Sequence, residues 1–145
     1  MSDSLHIVCP HCDAVNRVPA PRLDDEPTCG KCTKQLFTGH PVDLSSQRFL
    51  KHIERSDIPV LVDFWAPWCG PCRTMAPFYE QAAQRLEPHY RVVKVNTEDA
   101  QDIGARYNIR SIPTLALFRN GREIARQPGA MDTNNILGWV QQNSR

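Results

Sequence analysis

The sequence predicts an α/β protein with a central mixed β-sheet and helices on both faces, preceded by a small cysteine-rich segment. Strand-like and helix-like patterns alternate from about residue 41 onward, and a hairpin signal follows them. The first forty residues hold four of the six cysteines but few large apolar side chains. We therefore expect two units, residues 1–40 and residues 41–145.

The overall composition excludes several classes of function. With 145 residues, 41% hydrophobic and 23% charged, the chain is typical of a globular protein. Its net charge of +1 predicts no general affinity for nucleic acid or for an anionic membrane. The start, MSDSLHIVCPHC, lacks the pattern of a signal peptide, and no apolar run is long enough to cross a bilayer. We therefore expect a cytoplasmic monomer whose cysteines serve metal binding or redox chemistry.

The first elements after residue 40 can be assigned in chain order. PVDL predicts a short strand, and SSQRFLKHIERS predicts a helix capped by Ser45 or Ser46. PVLVDFWA is a nearly continuous apolar run, typical of a strand that is covered on both faces. The residues after Cys72 predict a helix that Pro77 should kink. Its apolar face is expected to consist of Met75, Phe78, Tyr79, Ala82, Ala83 and Leu86.

The remaining elements complete the predicted sheet. YRVVKVN predicts another buried strand, and AQDIGARYN a short helix ended by Asn108 in a left-handed conformation. TLALF and REIARQ flank Asn120 and Gly121, a dipeptide that strongly indicates a hairpin. DTNNILGWVQQN predicts a closing helix, whose core-facing residues are Ile136, Leu137, Trp139 and Val140.

The first forty residues are predicted to need a metal. They contain the loop-like stretch PAPRLDDEPT and no readable amphipathic helix. Such a segment buries too little apolar surface to fold alone. Two C-x-x-C pairs, separated by sixteen residues, have the spacing typical of a zinc site and look like zinc-ribbon turns. We expect one structural zinc ion, held by Cys9, Cys12, Cys29 and Cys32.

Alternatives to this zinc site remain open. The four cysteines would form two disulfides in an oxidising compartment, or hold iron with nearly the same geometry. His11 and His40 are alternative ligands, although four cysteines already complete a tetrahedron. Within the turns, Gly30 is expected to supply the positive φ that such turns favour, and Lys31 to offset thiolate charge.

A third C-x-x-C pair, Cys69 and Cys72, lies where a buried strand gives way to a helix. A helix N-terminus presents free N–H groups and partial positive charge, which stabilise the thiolate that attacks a disulfide. The spacing lets Cys72 resolve a mixed disulfide formed at Cys69. Pro71 stiffens the turn, and Gly70 lets the backbone of a partner approach. A C-x-x-C pair can also be half of a metal site, but this setting predicts redox chemistry.

Around this pair the sequence resembles the thioredoxin family. VDFWAPWCGPC, YNIRSIPT, LFRNG and PGAMD occur in the family's order and at nearly its spacing, over about 70% of the chain from Pro41 to Asn143. With CPHC and CGKC in front, the chain is similar to the zinc-bearing bacterial type called thioredoxin 2. The resemblance implies the thioredoxin fold and a thiol-disulfide oxidoreductase that reduces protein disulfides.

The resemblance also implies roles for individual residues. Cys69 would attack the substrate disulfide, and Cys72 would release the product. Asp63, buried behind the pair, would relay a proton to or from Cys72, and Lys94 would tune that carboxyl group. Pro113 would be a cis-proline facing the dithiol. The patch that meets protein substrates would comprise Trp68, Gly70, Pro71, Ile112, Pro113, Gly129 and Ala130.

Simpler explanations remain open for some of these residues. Asp63 is alternatively a satisfied structural carboxylate, Lys94 a surface lysine and Pro113 an ordinary turn proline. Trp65 is expected to pack in the core rather than contact substrate. Two positions depart from the common family pattern without touching the dithiol, namely Ser111 and Pro128.

The resemblance further implies the partners of the protein. An NADPH-dependent thioredoxin reductase would recharge the dithiol, disulfide-bearing proteins would be the clients, and no organic cofactor would be bound. The alternative function is a zinc-dependent redox sensor or holdase, in which oxidation of the four-cysteine site releases the metal. A nucleic-acid-binding ribbon lacks support, because residues 1–40 carry four basic against five acidic side chains.

Overall fold

The structure, a computed structural model, describes residues 3–144. Met1, Ser2 and Arg145, at the outer limits of the two predicted units, lie outside the described residues. The described residues form a two-stranded sheet and a five-stranded sheet. Between residues 3 and 144, no helix is both long and apolar enough to cross a lipid bilayer.

The smaller sheet is an antiparallel hairpin that the sequence patterns did not predict. Strand β1 (Ser4–Val8) pairs with strand β2 (Val15–Pro19), and a short 3-10 helix (Ala20–Arg22) follows. The predicted loop PAPRLDDEPT is therefore wrong at its start, because Pro19 ends a strand. The segment also has a small apolar core, formed by Ile7, Cys9, Val18, Leu23, Cys29 and Leu36 together with Ile58. Since Ile58 comes from beyond residue 40, this core is shared between the two predicted units.

The larger sheet has the predicted mixed α/β architecture. Its strands lie in the order β3-β5-β4-β6-β7; β3 and β4 run parallel to β5, whereas β6 runs antiparallel to β4 and β7. The elements are β3 (Val42–Asp43), α1 (Ser46–Arg55), β4 (Val60–Trp65), α2 (Gly70–Leu86), β5 (Arg91–Asn96), α3 (Gln101–Arg106), β6 (Thr114–Arg119), β7 (Arg122–Pro128) and α4 (Thr133–Asn143).

Helices cover both faces of this sheet because successive side chains of a strand point to opposite sides. On one face, Phe64 of β4 packs in a cluster with Phe49 of α1 and Ile103 of α3. On the other face, Leu61 of β4 packs with Tyr79 of α2 and with α4. The nearly continuous apolar run of β4 thus belongs to a central strand, as predicted.

The predicted turns are present, and one predicted core residue is not in the core. Asn108 has φ +54°, while Asn120 and Gly121 have φ +52° and +80° at the hairpin. Phe78, however, is 37% exposed. The buried residues of α2 follow a stripe centred between Met75 and Tyr79, and at 100° per residue Phe78 lies at the edge of this stripe.

The sheet separates the predicted dithiol from the four other cysteines. Strand β4 runs from Val60, which pairs with Arg91, to Trp65, which pairs with Asn96 and is followed closely by Cys69. The N-terminal segment contacts the opposite end, where Arg91 donates a hydrogen bond to the carbonyl oxygen of Val8. The dithiol therefore follows one end of β4, whereas the segment that carries the other four cysteines contacts the other end through Val8.

Candidate redox and metal sites

Cys69 and Cys72 are joined by a disulfide at the N-terminus of α2. Cys69 is the N-cap residue, and its Sγ accepts a hydrogen bond from the backbone N–H of Cys72 at 3.2 Å. Pro71 occupies the first turn, where no intrahelical N–H bond is lost. The expected strand-to-helix junction is present, and it places the Cys69 sulfur at the positive end of a 17-residue helix.

The loop between α3 and β6 faces this disulfide. The Cys69 Sγ atom lies 3.7 Å from the carbonyl oxygen of Ile112, and the Ile112–Pro113 peptide bond is cis. The N–H of Gly129 donates to the carbonyl oxygen of Pro113 at 2.9 Å. Three loops that are distant in sequence therefore meet around the disulfide.

The residues of the predicted substrate patch differ in their exposure. Trp68 is 64% exposed, the largest value among the exposed large apolar side chains of residues 3–144. Pro71, Gly129 and Ala130 are also exposed, whereas Pro113 is buried. The two remaining members, Gly70 and Ile112, are half-buried.

Glu98 forms a hydrogen bond with the exposed indole of Trp68, and the sequence patterns did not indicate this contact. The Nε1–H of Trp68 donates to Oε1 of Glu98 at 2.6 Å. The two residues are thirty positions apart, in loops after β4 and β5. Because the carboxyl ends of parallel strands meet at one edge of a sheet, their loops come together there.

Asp63 is a buried carboxyl group on β4. Only 1% of its surface is exposed, and its Oδ1 atom has no hydrogen-bond partner among the described residues. Burial raises the pKa of Asp63 to about 7, and the positive charge of Lys94 opposes this rise. The group can therefore gain or lose a proton near neutral pH. The unpartnered oxygen argues against the alternative of a satisfied structural carboxylate.

Lys94 is a half-buried residue rather than an ordinary surface lysine. It pairs with Asp63 across the parallel strands β4 and β5. Its Nζ atom lies 4.2 Å from the centre of the Trp65 ring, within the range of a cation–π interaction. Trp65 itself is half-buried and packs against the apolar cluster around the disulfide.

The four remaining cysteines form one compact cluster of free thiols. All four Sγ atoms lie within 4.8 Å of one another. The Cys9–Cys32 and Cys12–Cys29 sulfur pairs are each 3.7 Å apart. Four sulfurs placed 2.3 Å from a central zinc ion form a tetrahedron with edges of about 3.8 Å. The donor set therefore fits one zinc ion.

Backbone N–H groups point at the sulfurs of both turns. The N–H of His11 donates to Cys9 Sγ, and that of Lys31 donates to Cys29 Sγ, each at 3.4 Å. Hydrogen bonds to its sulfur lower the pKa of Cys29 to about 6, and the largest contribution comes from the N–H of Cys32. These contacts favour the thiolate, which is the form that binds zinc, but at Cys9 burial outweighs them and raises the pKa to about 12. We call Cys9–Cys12 the first cysteine turn and Cys29–Cys32 the second cysteine turn.

The role predicted for Gly30 is wrong. The positive φ angles fall on Asp13 (67°) and Thr33 (68°), which directly follow the last cysteine of each turn. Gly30 instead donates its N–H to Oδ1 of Asn16 at 2.9 Å. Asn16 therefore ties the second cysteine turn to strand β2.

The two histidines considered as alternative ligands lie outside the sulfur cluster. Nε2 of His11 hydrogen-bonds to the carbonyl oxygen of Gln35 at 2.9 Å. Nδ1 of His40 pairs with the carboxylate of Glu80. Neither ring belongs to the group of possible metal ligands, which among residues 3–144 consists of the four cysteines.

Comparisons with known proteins match both parts of the chain. The family model "Thioredoxin" matches residues 40–142, and a zinc-ribbon model described as "Thioredoxin 2, N-terminal" matches residues 8–34. Thioredoxin C-3 of Corynebacterium nephridii is 43% identical over 136 residues, which cover 94% of this chain and 93% of that protein. Thioredoxin 1 of a Nostoc strain is 47% identical over 69% of this chain and 94% of its own length.

A solved structure agrees with these matches. Thioredoxin of Malassezia sympodialis superimposes with a TM-score of 0.64 at 30% identity, covering 71% of this chain and 90% of that chain. The alternative function, a metal-releasing sensor, is not favoured by these relatives.

Proposed function

Because this chain belongs to the thioredoxin family and is therefore a protein-disulfide reductase, we propose that Cys69 and Cys72 carry its reaction. The observation that supports this most directly is their disulfide at the head of α2, with the carbonyl oxygen of Ile112, the residue before Pro113, 3.7 Å from Cys69 Sγ. Residues 41–145 would form the catalytic domain, and residues 1–40 would form the metal-binding segment.

The reaction starts from the reduced dithiol. The Cys69 thiolate attacks one sulfur of a client disulfide, so that a Cys69–client bond forms and the client S–S bond breaks. The first client sulfur leaves as a thiolate and takes up a proton. Cys72 then loses its proton and attacks Cys69 Sγ, which forms the Cys69–Cys72 disulfide and releases the second client thiolate. Two electrons have passed from the protein to the client.

Asp63 is proposed to accept the proton that Cys72 loses. A carboxyl group with a pKa of about 7 exists in both protonation states near neutral pH, as a general base requires. Lys94 would hold this pKa below the value that burial alone produces. Asp63 acts on the second step of the reaction and Lys94 acts through Asp63.

The exposed patch beside the disulfide is proposed to bind client proteins. Trp68 is the exposed aromatic residue of this patch, and its hydrogen bond to Glu98 favours one orientation of the indole. A large aromatic group held rigid contributes contact area at low entropic cost. Gly70, where an added Cβ would meet open space, leaves room for the backbone of the client.

The four-cysteine cluster is proposed to hold one structural zinc ion through Cys9, Cys12, Cys29 and Cys32. Zinc bound by four thiolates has no open position for catalysis. It would supply roughly 10–16 kcal/mol at neutral pH, enough to order a segment with a small core. The four-sulfur cluster does not include Cys69 or Cys72, which supports a scaffolding role for the ion.

The cellular setting is proposed from the chemistry of the thiols. Four free cysteines and one exchangeable disulfide suit a reducing compartment such as the cytoplasm. There a thioredoxin reductase that uses NADPH would return the disulfide to the dithiol. The protein is proposed to act as a monomer.

The proposal is tested by the reduction of insulin disulfides with Cys69→Ser and Cys72→Ser variants. Cys69→Ser should abolish turnover, because the thiolate that attacks the client disulfide is removed. Cys72→Ser should trap a mixed disulfide with insulin, visible as a mass increase that dithiothreitol removes. Retained turnover by the Cys69→Ser variant would exclude the mechanism.

A further inference from the structure

We infer that two arginines outside the metal-binding segment, Arg48 and Arg91, position the first cysteine turn and thereby set how tightly the metal is held. Arg48 lies on α1 and Arg91 on β5. The inference rests on the zinc site of the proposed function. Both arginines are distant in sequence from the four cysteines. They contact the polypeptide at the first cysteine pair and are not themselves metal ligands.

Arg48 forms hydrogen bonds with two residues at the first cysteine turn, Pro10 and Asp13. Its Nη2 atom donates to the carbonyl oxygen of Pro10 at 2.7 Å and to Oδ1 of Asp13 at 2.8 Å. Its Nε atom donates to Oδ2 of Asp13 at 2.9 Å. Pro10 and Asp13 stand on either side of Cys12, so a single planar guanidinium spans the turn.

His52, one helical turn after Arg48, completes this contact. Its side chain is fully buried, and its Nε2 atom lies 2.8 Å from Oδ1 of Asp13. A carboxylate oxygen can only accept a hydrogen bond, so the N–H of the imidazole donates to Asp13. Asp13 thus accepts hydrogen bonds from two side chains of α1.

Arg91 holds the chain just before the first cysteine. Its side chain is fully buried, and its Nη2 atom donates to the carbonyl oxygen of Val8 at 3.2 Å. Its charge is balanced by Glu87, whose Oε2 lies 3.1 Å from Nη1, and its guanidinium lies 4.5 Å from the centre of the Phe37 ring. The other Glu87 oxygen accepts the N–H of Gly39 at 3.0 Å. The buried ion pair therefore contacts both ends of the segment.

The second cysteine turn has no such anchor. In the described part of the chain, the hydrogen bonds of residues 29–33 all remain within the N-terminal segment. The side chain of Asn16 provides the main link, through Gly30 and Cys29. The first cysteine turn is thus held by side chains of α1 and β5, whereas the second is held by contacts within its own segment.

Because the arginines hold only the first cysteine turn, replacing them should change the rate at which zinc is released. Groups that orient metal ligands without touching the metal typically change metal affinity by about 10- to 100-fold when they are removed. Arg48→Met and Arg91→Met are expected to release zinc faster by a factor in that range. Arg48→Lys should restore part of the retention, because a lysine keeps the charge but cannot span Pro10 and Asp13.

The test uses full-length protein loaded with zinc and measures zinc transfer to the chelator 4-(2-pyridylazo)resorcinol. Arg17→Met is the matched control, since Arg17 is an exposed arginine on β2 of the same segment. Cooperative unfolding of each variant, followed by circular dichroism, establishes that it is folded. Zinc release by both Met variants at the rate of the Arg17 control would overturn the inference.

A second readout requires no substitution. After zinc is stripped from the native protein, brief alkylation followed by peptide mass analysis gives the order in which the thiols react. Cys29 and Cys32 should be modified before Cys9 and Cys12, and equal rates would contradict an anchored first turn. A native protein that binds no zinc at all would instead refute the proposed metal site, so the two failures are distinguishable.

Discussion

Asp63 and Lys94 are direct neighbours on the parallel strands β4 and β5, and they have opposite effects on the proton of the buried carboxyl group. Burial raises the pKa of Asp63 to about 7, and the Lys94 ammonium opposes that rise. The carboxyl group is therefore costly to ionise, which lowers stability at neutral and alkaline pH and agrees with the proton-transfer role proposed for it.

The first prediction concerns the stability cost of Asp63. Because the folded-state pKa of about 7 exceeds the ordinary aspartate value of 3.8, the folded protein binds more protons than the unfolded chain between these pH values. Its free energy of unfolding must then fall as the pH rises through that window. Asp63→Asn should be more stable than the wild type by about 4 kcal/mol at pH 8 but by less than about 2 kcal/mol at pH 5.

This difference is measured by denaturant unfolding of the oxidised, zinc-loaded proteins at both pH values. Comparing the two proteins at each pH cancels the pH dependence of every other group. A stability gap that does not grow between pH 5 and pH 8 would show that Asp63 has an ordinary pKa.

Replacing Lys94 should move the titration of Asp63 upward. Lys94→Gln removes the positive charge that opposes the effect of burial, so the pKa of Asp63 should rise further. The measurement is the pH titration of the Asp63 carboxyl carbon by nuclear magnetic resonance. Lys51→Gln, a change at an exposed lysine on α1, is the control and should leave the titration unchanged. An identical midpoint in both variants would remove Lys94 from the mechanism.

Truncating Trp68 should weaken client recognition without affecting the fold. The indole is 64% exposed, so Trp68→Ala should change stability by no more than about 0.5 kcal/mol. We expect kcat/KM for insulin reduction to fall by about tenfold, the effect of losing roughly 1.4 kcal/mol of contact.

Phe78→Ala is the matched control for Trp68→Ala. Phe78 is an exposed aromatic residue on α2. It lies nine residues after Cys69, which corresponds to about 13 Å along the helix axis. Its truncation should leave insulin reduction at the wild-type rate. Equal losses in the two variants would mean that the effect is not specific to the patch beside the disulfide.

Removing zinc should loosen the N-terminal segment and spare the larger sheet. The segment has a small core, so with the proposed zinc site most of its stability would come from the ion. Hydrogen exchange is expected to accelerate in residues 20–36 after treatment with a chelator, while β4 and α2 remain protected. Unchanged protection of residues 20–36 in zinc-free protein would show that the apolar core alone holds the segment.

Most of the larger sheet could be predicted because its signals are local. The continuous apolar run of β4, the Asn120–Gly121 turn and the spacing of each C-x-x-C pair are all visible in short stretches of sequence. The division of the six cysteines into one disulfide and one four-sulfur cluster follows from that spacing and from the strand-to-helix junction at Cys69.

The contacts between the two parts of the chain could not be predicted, because they join residues that are distant in sequence. An arginine that begins a strand, as Arg91 does, normally reaches solvent, and it is buried here because the N-terminal segment covers it. The β1–β2 hairpin was missed because a cysteine turn, rather than a turn rich in Asn and Gly, connects the strands. The partnership of Asp13 with Arg48 joins residues 35 positions apart and leaves no local pattern.

The most direct test of the account is the ionisation of Cys69 in reduced, zinc-loaded protein. Its rate of alkylation by iodoacetamide, followed against pH, reports the fraction of thiolate at the head of α2. The account predicts ionisation well below the pH of about 8.5 that is typical of free cysteine. Ionisation at or above that pH, or a metal ion bound between Cys69 and Cys72, would contradict it.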